Sequence, residues 1–229
     1  MNNQPLDKRR LFLVALSRLV VGLAVIGGLF FLCAGTTDFW QAWLYIGILL
    51  VLLVASFTWL IRNHPQTLER RMRTSERQPT QRWVIAVAAV FSILVFIVPG
   101  LDKRFTWSIV PLWLVLLGDA VFIAGYALYS RVIQVNAYAS RVVEVAAGQK
   151  VISSGPYALV RHPMYLSMLA FFFGSALALA SYWALIPAAL MIPTLAVRLL
   201  DEEKTLLRDL PGYAEYTQKV RWHLIPGIW

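Results

Sequence analysis

The chain alternates between long apolar stretches and short polar segments. Four apolar stretches, near Leu11–Cys33, Phe39–Ile61, Trp83–Val98 and Ser108–Tyr129, are about long enough to cross a bilayer core of roughly 30 Å, the third only marginally. Each predicts a membrane-spanning helix. With 59% hydrophobic and only 14% charged residues, the chain of 229 residues is too apolar for an ordinary soluble domain.

The last apolar stretch, Met164–Val197, is about twice as long as one span. Ser181-Tyr182-Trp183, Pro187 and Pro193 interrupt it, which favours a tight helical hairpin. The total is then six crossings. The predicted fold is an all-α integral membrane protein with about six transmembrane helices and a C-terminal helical hairpin.

Most basic residues lie in those polar segments that fall on one side of the predicted membrane. They precede the first span at Lys8, fill the connection from Arg62 to Arg82, and recur after the fourth span and after the hairpin, whereas only Lys103 and Arg104 fall on the other side. The positive-inside rule therefore places both termini in the cytoplasm. Because the net charge of +9 follows the membrane, it indicates contact with anionic lipid headgroups rather than with nucleic acid.

Several familiar chemistries are absent from the sequence. Cys33 is the only cysteine and lies in an apolar stretch, so an intramolecular disulfide or a thiol redox pair is excluded. The histidines His64, His162 and His223 lack metal-binding spacing, which argues against a transition-metal site. No Walker loop, G-x-G-x-x-G or G-x-S-x-G motif occurs. A cofactor would have to bind between helices.

The most informative polar segment lies just before the hairpin. Tyr157 and Tyr165 flank Arg161, His162 and Pro163. Proline at the first turn of a helix places His162 near the N-cap, where unpaired backbone N–H groups favour an anionic ligand group. The two tyrosines offer aromatic faces to a cation such as a sulfonium, although interfacial anchoring is an equally good explanation for each tyrosine alone. His162 by itself is also consistent with a structural cap.

Charged residues return where the hairpin ends. Arg198 and Glu202 are four positions apart and share one helix face, as either an ion pair or two walls of one cavity. Glu203 points about 100° away and is expected to face solvent or headgroups. Leu199–Leu210 has amphipathic spacing, which predicts a helix lying along the membrane, and Pro211-Gly212 ends it.

The C-terminal part, from about Glu144 to Trp229, resembles the isoprenylcysteine carboxyl methyltransferase family and the related membrane phospholipid methyltransferases. The resemblance rests on motifs in a fixed order. They are Ser154-Gly155-Pro156-Tyr157, Arg161-His162-Pro163-x-Tyr165, the hairpin, Arg198 with Asp201-Glu202-Glu203, Gly212-Tyr213 with Tyr216, and a tail containing Pro226. The family usually has a histidine at the position of Gln149. The resemblance implies a methyltransferase-like region at 131–229, behind N-terminal transmembrane helices at 1–130.

The resemblance also implies a methyl donor, S-adenosylmethionine, in a pocket that faces the cytoplasm. Arg198 would face the methyl acceptor. The donor-binding residues implied in this sequence are Gln149, Lys150, Val151, Ile152, Tyr157, His162, Pro163, Met164, Tyr165 and Glu202.

The leading hypothesis is a methyltransferase that acts on a lipophilic or prenylated acceptor. A carboxylate is already ionised at neutral pH and suits Arg198, whereas an amine acceptor, as in phospholipid N-methylation, requires removal of a proton. A small thiol or another isoprenoid remains an alternative acceptor. An NADPH-dependent sterol-type reductase is a second enzymatic alternative, but it would need more convergent cations. A transporter or scaffold is the non-enzymatic alternative, with Asp119 as the candidate intramembrane ionisable residue.

Overall fold

The computed structural model describes residues 8–63, 79–136, 138, 145 and 148–229, and these residues are mostly helical. The arginine-rich connection after the second predicted span and Glu144 lie outside the described residues. The described helices are α1 Lys8–Ala34, α2 Trp40–Asn63, α3 Pro79–Phe105, α4 Leu112–Val135, a short 3-10 helix Gly155–Ala158, α5 Pro163–Ala178, α6 Leu185–Asp209 and α7 Tyr213–Lys219.

The four predicted N-terminal spans correspond to α1 to α4. In the described part of the chain, these four helices are long and apolar enough to cross a membrane. The third is longer than its apolar core predicted, because α3 continues through Pro99 to Phe105 and so includes Lys103 and Arg104 in its last turn. Helix α5 has only 16 residues, so a membrane crossing by α5 and α6 stays a prediction.

Helices α4 and α5 pack antiparallel at very short range. A Cβ atom on Gly118 would lie 2.3 Å from the backbone nitrogen of Ala178, and one on Gly174 would lie 2.5 Å from the backbone nitrogen of Phe122. Only glycine permits this approach, as is common where membrane helices meet. The contact fixes α5, whose first turn carries the His162-Pro163 motif, against the end of α4.

Helix α6 is one continuous element through Pro193. The helix predicted at Leu199–Leu210 is therefore the last part of α6, and its position along the membrane stays a prediction. Leu199 is buried against Tyr165 and Leu195 rather than turned toward lipid. The apolar spacing therefore reflects the packing of the last turns of α6 against α5.

A buried aspartate binds the two connections at the opposite end of the bundle. Asp102 in the last turn of α3 accepts hydrogen bonds from the backbone N–H of Ser108 at 2.7 Å, from its hydroxyl at 2.7 Å, and from the hydroxyl of Ser181 at 2.5 Å. Ser108 precedes α4, and Ser181 lies between α5 and α6. These bonds attach the turn between α5 and α6 to the connection between α3 and α4.

An aromatic cluster fills the centre of the bundle. Phe30, Tyr45 and Phe122 are fully buried, and the Tyr45 hydroxyl lies 2.7 Å from the Ser175 hydroxyl. Asp119 is also buried in α4, and neither of its carboxylate oxygens has a hydrogen-bond partner among the described residues. It does not line the two cavities described below.

Candidate functional site

A polar cleft opens at the end of the bundle where α5 begins and α6 ends. It encloses about 90 Å³ and lies between the segment 149–152, the 3-10 helix, the ends of α5 and α6, and α7. The residues that line it are Asn136, Tyr138, Gln149, Lys150, Val151, Ile152, Tyr157, Arg161, His162, Met164, Tyr165, Glu202, Thr205, Leu206, Leu210, Tyr213 and Tyr216. We call this the polar cleft.

Local sequence shapes the wall that carries Tyr157. Gly155 has a φ of +60°, a left-handed conformation that glycine adopts without strain, and Pro156 then starts the 3-10 turn. The Tyr157 hydroxyl accepts a hydrogen bond from the Asn136 side chain at 2.9 Å, and its carbonyl accepts one from the Tyr216 hydroxyl at 2.7 Å. The ring is thereby fixed between α4 and α7. Residues 151–152 have no regular secondary structure.

The histidine before α5 holds the N-cap position that its sequence predicts. Pro163 occupies the first turn, and the His162 side chain makes no capping hydrogen bond. Instead its Nε2 lies 2.6 Å from Glu203 Oε1, and the imidazole is buried. The cap interpretation of His162 therefore holds for its backbone only, and its ring takes part in a tertiary interaction.

Glu203 is the centre of this interaction, and the expectation that it faces solvent is wrong. It is only 6% exposed. Its Oε1 accepts a hydrogen bond from the Tyr213 hydroxyl at 2.7 Å, and its Oε2 lies 3.2 Å from Arg161 Nη1. The predicted direction, about 100° away from Glu202, is compatible with burial because α7 and the chain end cover that side of α6. We call Arg161, His162, Glu203 and Tyr213 the buried network.

The network sets the protonation states of its members. Burial by itself would raise the pKa of Glu203, but hydrogen bonds from His162 and Tyr213 and the charge of Arg161 hold its pKa below the ordinary value. Burial and the hydrogen bond to Glu203 raise the pKa of Tyr213. Glu203 is therefore an anion and Tyr213 a neutral donor at neutral pH.

The end of the chain covers the buried network. The backbone N–H groups of Arg161 and His162 donate to the carbonyls of Trp222 and His223, both at 2.9 Å. Arg161 Nη2 also lies 2.6 Å from His223 Nε2, and the Trp229 ring stacks on His223 at 4.9 Å between centroids. Burial and the neighbouring Arg161 charge lower the pKa of His223, so the imidazole is neutral and its Nε2 accepts a hydrogen bond from the Arg161 guanidinium.

A second set of polar side chains meets at Tyr165. The Tyr165 hydroxyl donates to Glu202 Oε2 at 2.6 Å and also has a side-chain hydrogen bond with Arg198. The helix face shared by Arg198 and Glu202 is thus directed at one tyrosine of α5. Glu202 lines the polar cleft. Arg198 does not line this cleft and contacts Tyr165 instead.

The structure brings most of the predicted donor-binding residues together. The predicted residues that line the polar cleft are Gln149, Lys150, Val151, Ile152, Tyr157, His162, Met164, Tyr165 and Glu202. Pro163 is buried in the first turn of α5 and does not line it. Residues 149–152 line the cleft although they lie at least fifty positions before Glu202 in the sequence.

Sequence reasoning missed other residues of the cleft wall. Asn136 and Tyr138 follow α4, and Thr205 and Leu206 follow Glu202 in α6. None belongs to a motif that points to a site. Tyr213 and Tyr216 were part of the recognised motif series but had no assigned role, and their spacing of three positions in α7 is the signal that places them on one face.

A second and larger cavity of about 660 Å³ lies deeper in the bundle. Helices α1, α2, α4 and α5 form most of its wall, with Phe96 of α3. Its residues are Arg18, Leu19, Gly22, Leu23, Ile26, Leu49, Leu53, Ser56, Phe57, Leu60, Phe96, Gly125, Tyr126, Tyr129, Ser167, Met168, Phe171 and Phe172. We call this the apolar cavity.

The two spaces are neighbours along α5. Met164 lines the polar cleft, and Ser167, one turn further along, lines the apolar cavity. The Ser167 hydroxyl donates to the Met164 carbonyl at 2.6 Å. On α4, Tyr129 lines the apolar cavity and Asn136, beyond the helix end, lines the polar cleft. A polar space open at the bundle end therefore adjoins an apolar space between the helices.

Comparisons with known proteins agree with this architecture. Residues 113–212 match the phospholipid methyltransferase family model. The fold is similar to the solved structure of a eukaryotic intramembrane Ras methyltransferase, isoprenylcysteine carboxyl methyltransferase, with a TM-score of 0.56 and 19% identity over 93% of this chain and 77% of that one. No curated protein matches the chain significantly. The resemblance recognised in the sequence is confirmed, and the protein is an integral membrane protein.

Proposed function

We propose that this protein is a membrane methyltransferase that transfers a methyl group from S-adenosylmethionine to a lipophilic acceptor, with a carboxylate as the favoured acceptor. The observation that carries the proposal is the adjacency of a polar cleft lined by tyrosines and Glu202 to an apolar cavity between the spans. A water-soluble donor and a lipid-like acceptor need these two environments side by side.

The chemistry of the cleft fits the donor. S-adenosylmethionine supplies an electrophilic methyl group on a positively charged sulfonium. Tyr157 and Tyr165 offer aromatic faces to that charge, and Glu202 accepts hydrogen bonds from amino or hydroxyl groups. The donor's carboxylate is assigned to the N-terminus of α5 beside His162.

Methyl transfer to a carboxylate needs little acid–base chemistry. The new bond joins a carboxylate oxygen to the methyl carbon while the bond from sulfur to that carbon breaks, leaving a neutral ester and a neutral thioether. No proton moves. Catalysis then consists of holding the two reactants in line and excluding water. Arg198 is assigned to orient the acceptor, and its hydrogen bond with Tyr165 places it one side chain away from the cleft.

The acceptor chain is assigned to the apolar cavity. Its volume of about 660 Å³ and its position between four helices suit an amphiphile that enters sideways from the bilayer. The distribution of basic residues supports an orientation with both termini and the polar cleft on the cytoplasmic side. Residues 131–229 would supply most of the donor site, and the helices within 1–130 would supply most of the acceptor cavity.

A phospholipid amine is the second candidate acceptor, because the matched family model is that of the phospholipid methyltransferases. A reductase is less well supported. The cations that line the described cleft are Lys150 and Arg161, and Arg161 is already bound to Glu203 and His223. A phosphate-rich cofactor such as NADPH would require more cations than this.

Calorimetric titration of the detergent-purified protein tests the donor assignment. We expect saturable binding of S-adenosylmethionine and of its demethylated product, and no binding of NADPH. Glu202→Ala should abolish donor binding, while Glu215→Ala, which changes an exposed glutamate of α7, should not. NADPH binding without binding of either sulfur compound would replace this proposal with the reductase.

Turnover tests the acceptor side separately. With a labelled methyl donor, we expect Arg198→Ala to preserve donor binding and remove methylation of a prenylated cysteine carboxylate. Methylation of an aminophospholipid instead would establish the second candidate. Full turnover by Arg198→Ala would exclude the assigned role of this arginine.

A further inference from the structure

Among the described residues that line the apolar cavity, Arg18 is the one cation. It belongs to α1, ten residues after the first described residue of that helix, and lies next to Leu19 and one turn before Gly22 on the cavity wall. Arg18 is exposed and is the third residue of the candidate span Leu16–Ala34, so it lies near one end of that span, where an arginine side chain can reach the headgroup of a ligand in the cavity. The region matched by the methyltransferase family model begins at residue 113, so that match assigns Arg18 no role.

Polar groups are unevenly distributed along the cavity. Arg18 and Tyr129, with the hydroxyls of Ser56 and Ser167, lie toward the end of the bundle that holds the polar cleft. This follows from the antiparallel order of the helices, since α4 approaches the cleft at its end and α5 leaves the cleft at its start. The cavity is therefore amphipathic, with its polar end toward the methyl donor site.

The opposite end of the cavity is apolar. Leu49, Phe96 and Phe172 lie there, and Leu49 and Phe172 are buried. An amphiphile gains most when its chain occupies this part and its head remains at the polar end. The arrangement therefore orients a ligand with its head toward the polar cleft.

We infer that Arg18 is a specificity-determining residue that binds a negatively charged oxyanion at the head of the amphiphile in the apolar cavity. A guanidinium presents a planar set of donors that matches two carboxylate or phosphate oxygens. Such a charge-assisted pair favours a charged head over an uncharged head of the same size, by the modest amount expected for a solvent-accessible pair. The inference deepens the proposed function and rests on it for the identity of this amphiphile as the methyl acceptor.

Competition for a photoreactive palmitate tests the inference without measuring methylation. The full-length protein is reconstituted in nanodiscs of lipids that carry no net charge. It is then cross-linked to the photoreactive palmitate, and the labelled peptides are identified by peptide mapping. We expect labelling of cavity-lining peptides from α1 and α5. Palmitate should suppress the labelling up to roughly fivefold better than methyl palmitate, as expected for one solvent-accessible charge pair.

Arg18→Gln should remove this preference while leaving methyl palmitate competition unchanged. Arg18→Lys retains the charge and should keep part of the preference, which provides a second variant if Arg18→Gln does not fold. Arg62→Gln is the matched control, because Arg62 is exposed at the end of α2 and lines neither cavity. Hexadecyl phosphate as a competitor distinguishes a phosphate head from a carboxylate head.

Equal competition by palmitate and methyl palmitate in the wild type, or an undiminished preference in Arg18→Gln, would overturn the inference and indicate that Arg18 serves the membrane interface. Donor calorimetry on the same nanodiscs separates the two proposals. If the wild-type protein binds no methyl donor but prefers palmitate to methyl palmitate, the methyltransferase proposal is rejected and the oxyanion site is retained. Normal donor binding without the preference rejects only the role of Arg18.

Discussion

The polar cleft and the apolar cavity are built in opposite ways. The cleft depends on a few strong polar contacts, among which Glu203 alone binds Arg161, His162 and Tyr213. The cavity depends on the shape left between four helices, and apolar side chains form most of its wall. Removal of one partner of Glu203 at the polar cleft leaves an unpaired buried charge. A change of an apolar side chain in the wall of the apolar cavity alters only the volume of that cavity. Substitutions in one region should therefore leave the properties of the other region unchanged.

The largest expected effect follows from Glu203→Gln. The substitution leaves the Arg161 guanidinium, which is 9% exposed, without its buried carboxylate. Breaking such a pair costs about 3–5 kcal/mol. We expect a clearly lower melting temperature in detergent and no measurable donor binding. Glu215→Gln, an exposed change on α7, is the control. Wild-type stability of Glu203→Gln would show that the buried network does not hold the cleft together.

Tyr213→Phe removes a single bond of the same network. It deletes the 2.7 Å hydrogen bond to Glu203 and keeps the ring, so we expect a loss of about 1.5–3 kcal/mol, smaller than that of Glu203→Gln. Denaturant or thermal unfolding measures the loss, and calorimetry should detect weaker donor binding. An effect equal to that of Glu203→Gln would mean that the hydroxyl, rather than the ion pair, dominates the network.

Gly22→Leu tests the apolar cavity alone. A Cβ atom at Gly22 meets nothing within 4 Å, so the leucine side chain can extend into the cavity without displacing the helix. If it displaces about two methylenes of an acceptor chain, kcat/KM for a long-chain acceptor should fall roughly tenfold, at about 0.8 kcal/mol per methylene. Donor affinity should not change.

Gly28→Leu is the matched control for Gly22→Leu. Gly28 belongs to the same helix, also has open space around its Cβ position, and does not line the cavity. Equal losses in the two variants would point to an effect on α1 rather than on acceptor binding. A loss of donor affinity in Gly22→Leu would contradict the independence of the two regions.

The smallest expected effect is the pH dependence of the chain end. Because burial and Arg161 lower the pKa of His223 in the folded protein, its stabilising contribution is complete above its ordinary pKa of 6.5 and declines as the pH falls below that value. Stability and donor affinity should therefore decrease modestly from pH 7.5 to 5.5. His223→Gln keeps an acceptor but cannot titrate, and it should flatten both profiles. A profile unchanged by the substitution would exclude His223.

The sequence by itself determined the membrane class, the four long spans and most of the residues that line the polar cleft. Spans are readable because a bilayer requires long apolar segments. The cleft residues are readable because Gly155-Pro156, His162-Pro163 and Glu202 are local signals at a turn, a helix start and a helix end. Those local conformations depend mainly on neighbours in the chain.

Only the tertiary structure decided the environment of Glu203, the roles of Tyr213 and His223, and the existence of the apolar cavity. Glu203 was expected at the surface because helical periodicity gives a direction but not what covers it. Its burial depends on α7 and on residues 220–229, which fold back onto the start of α5. The wall of the apolar cavity likewise includes Arg18 and Ser167, which lie far apart in the sequence. Such contacts depend on packing between residues far apart in the chain, which no local pattern records.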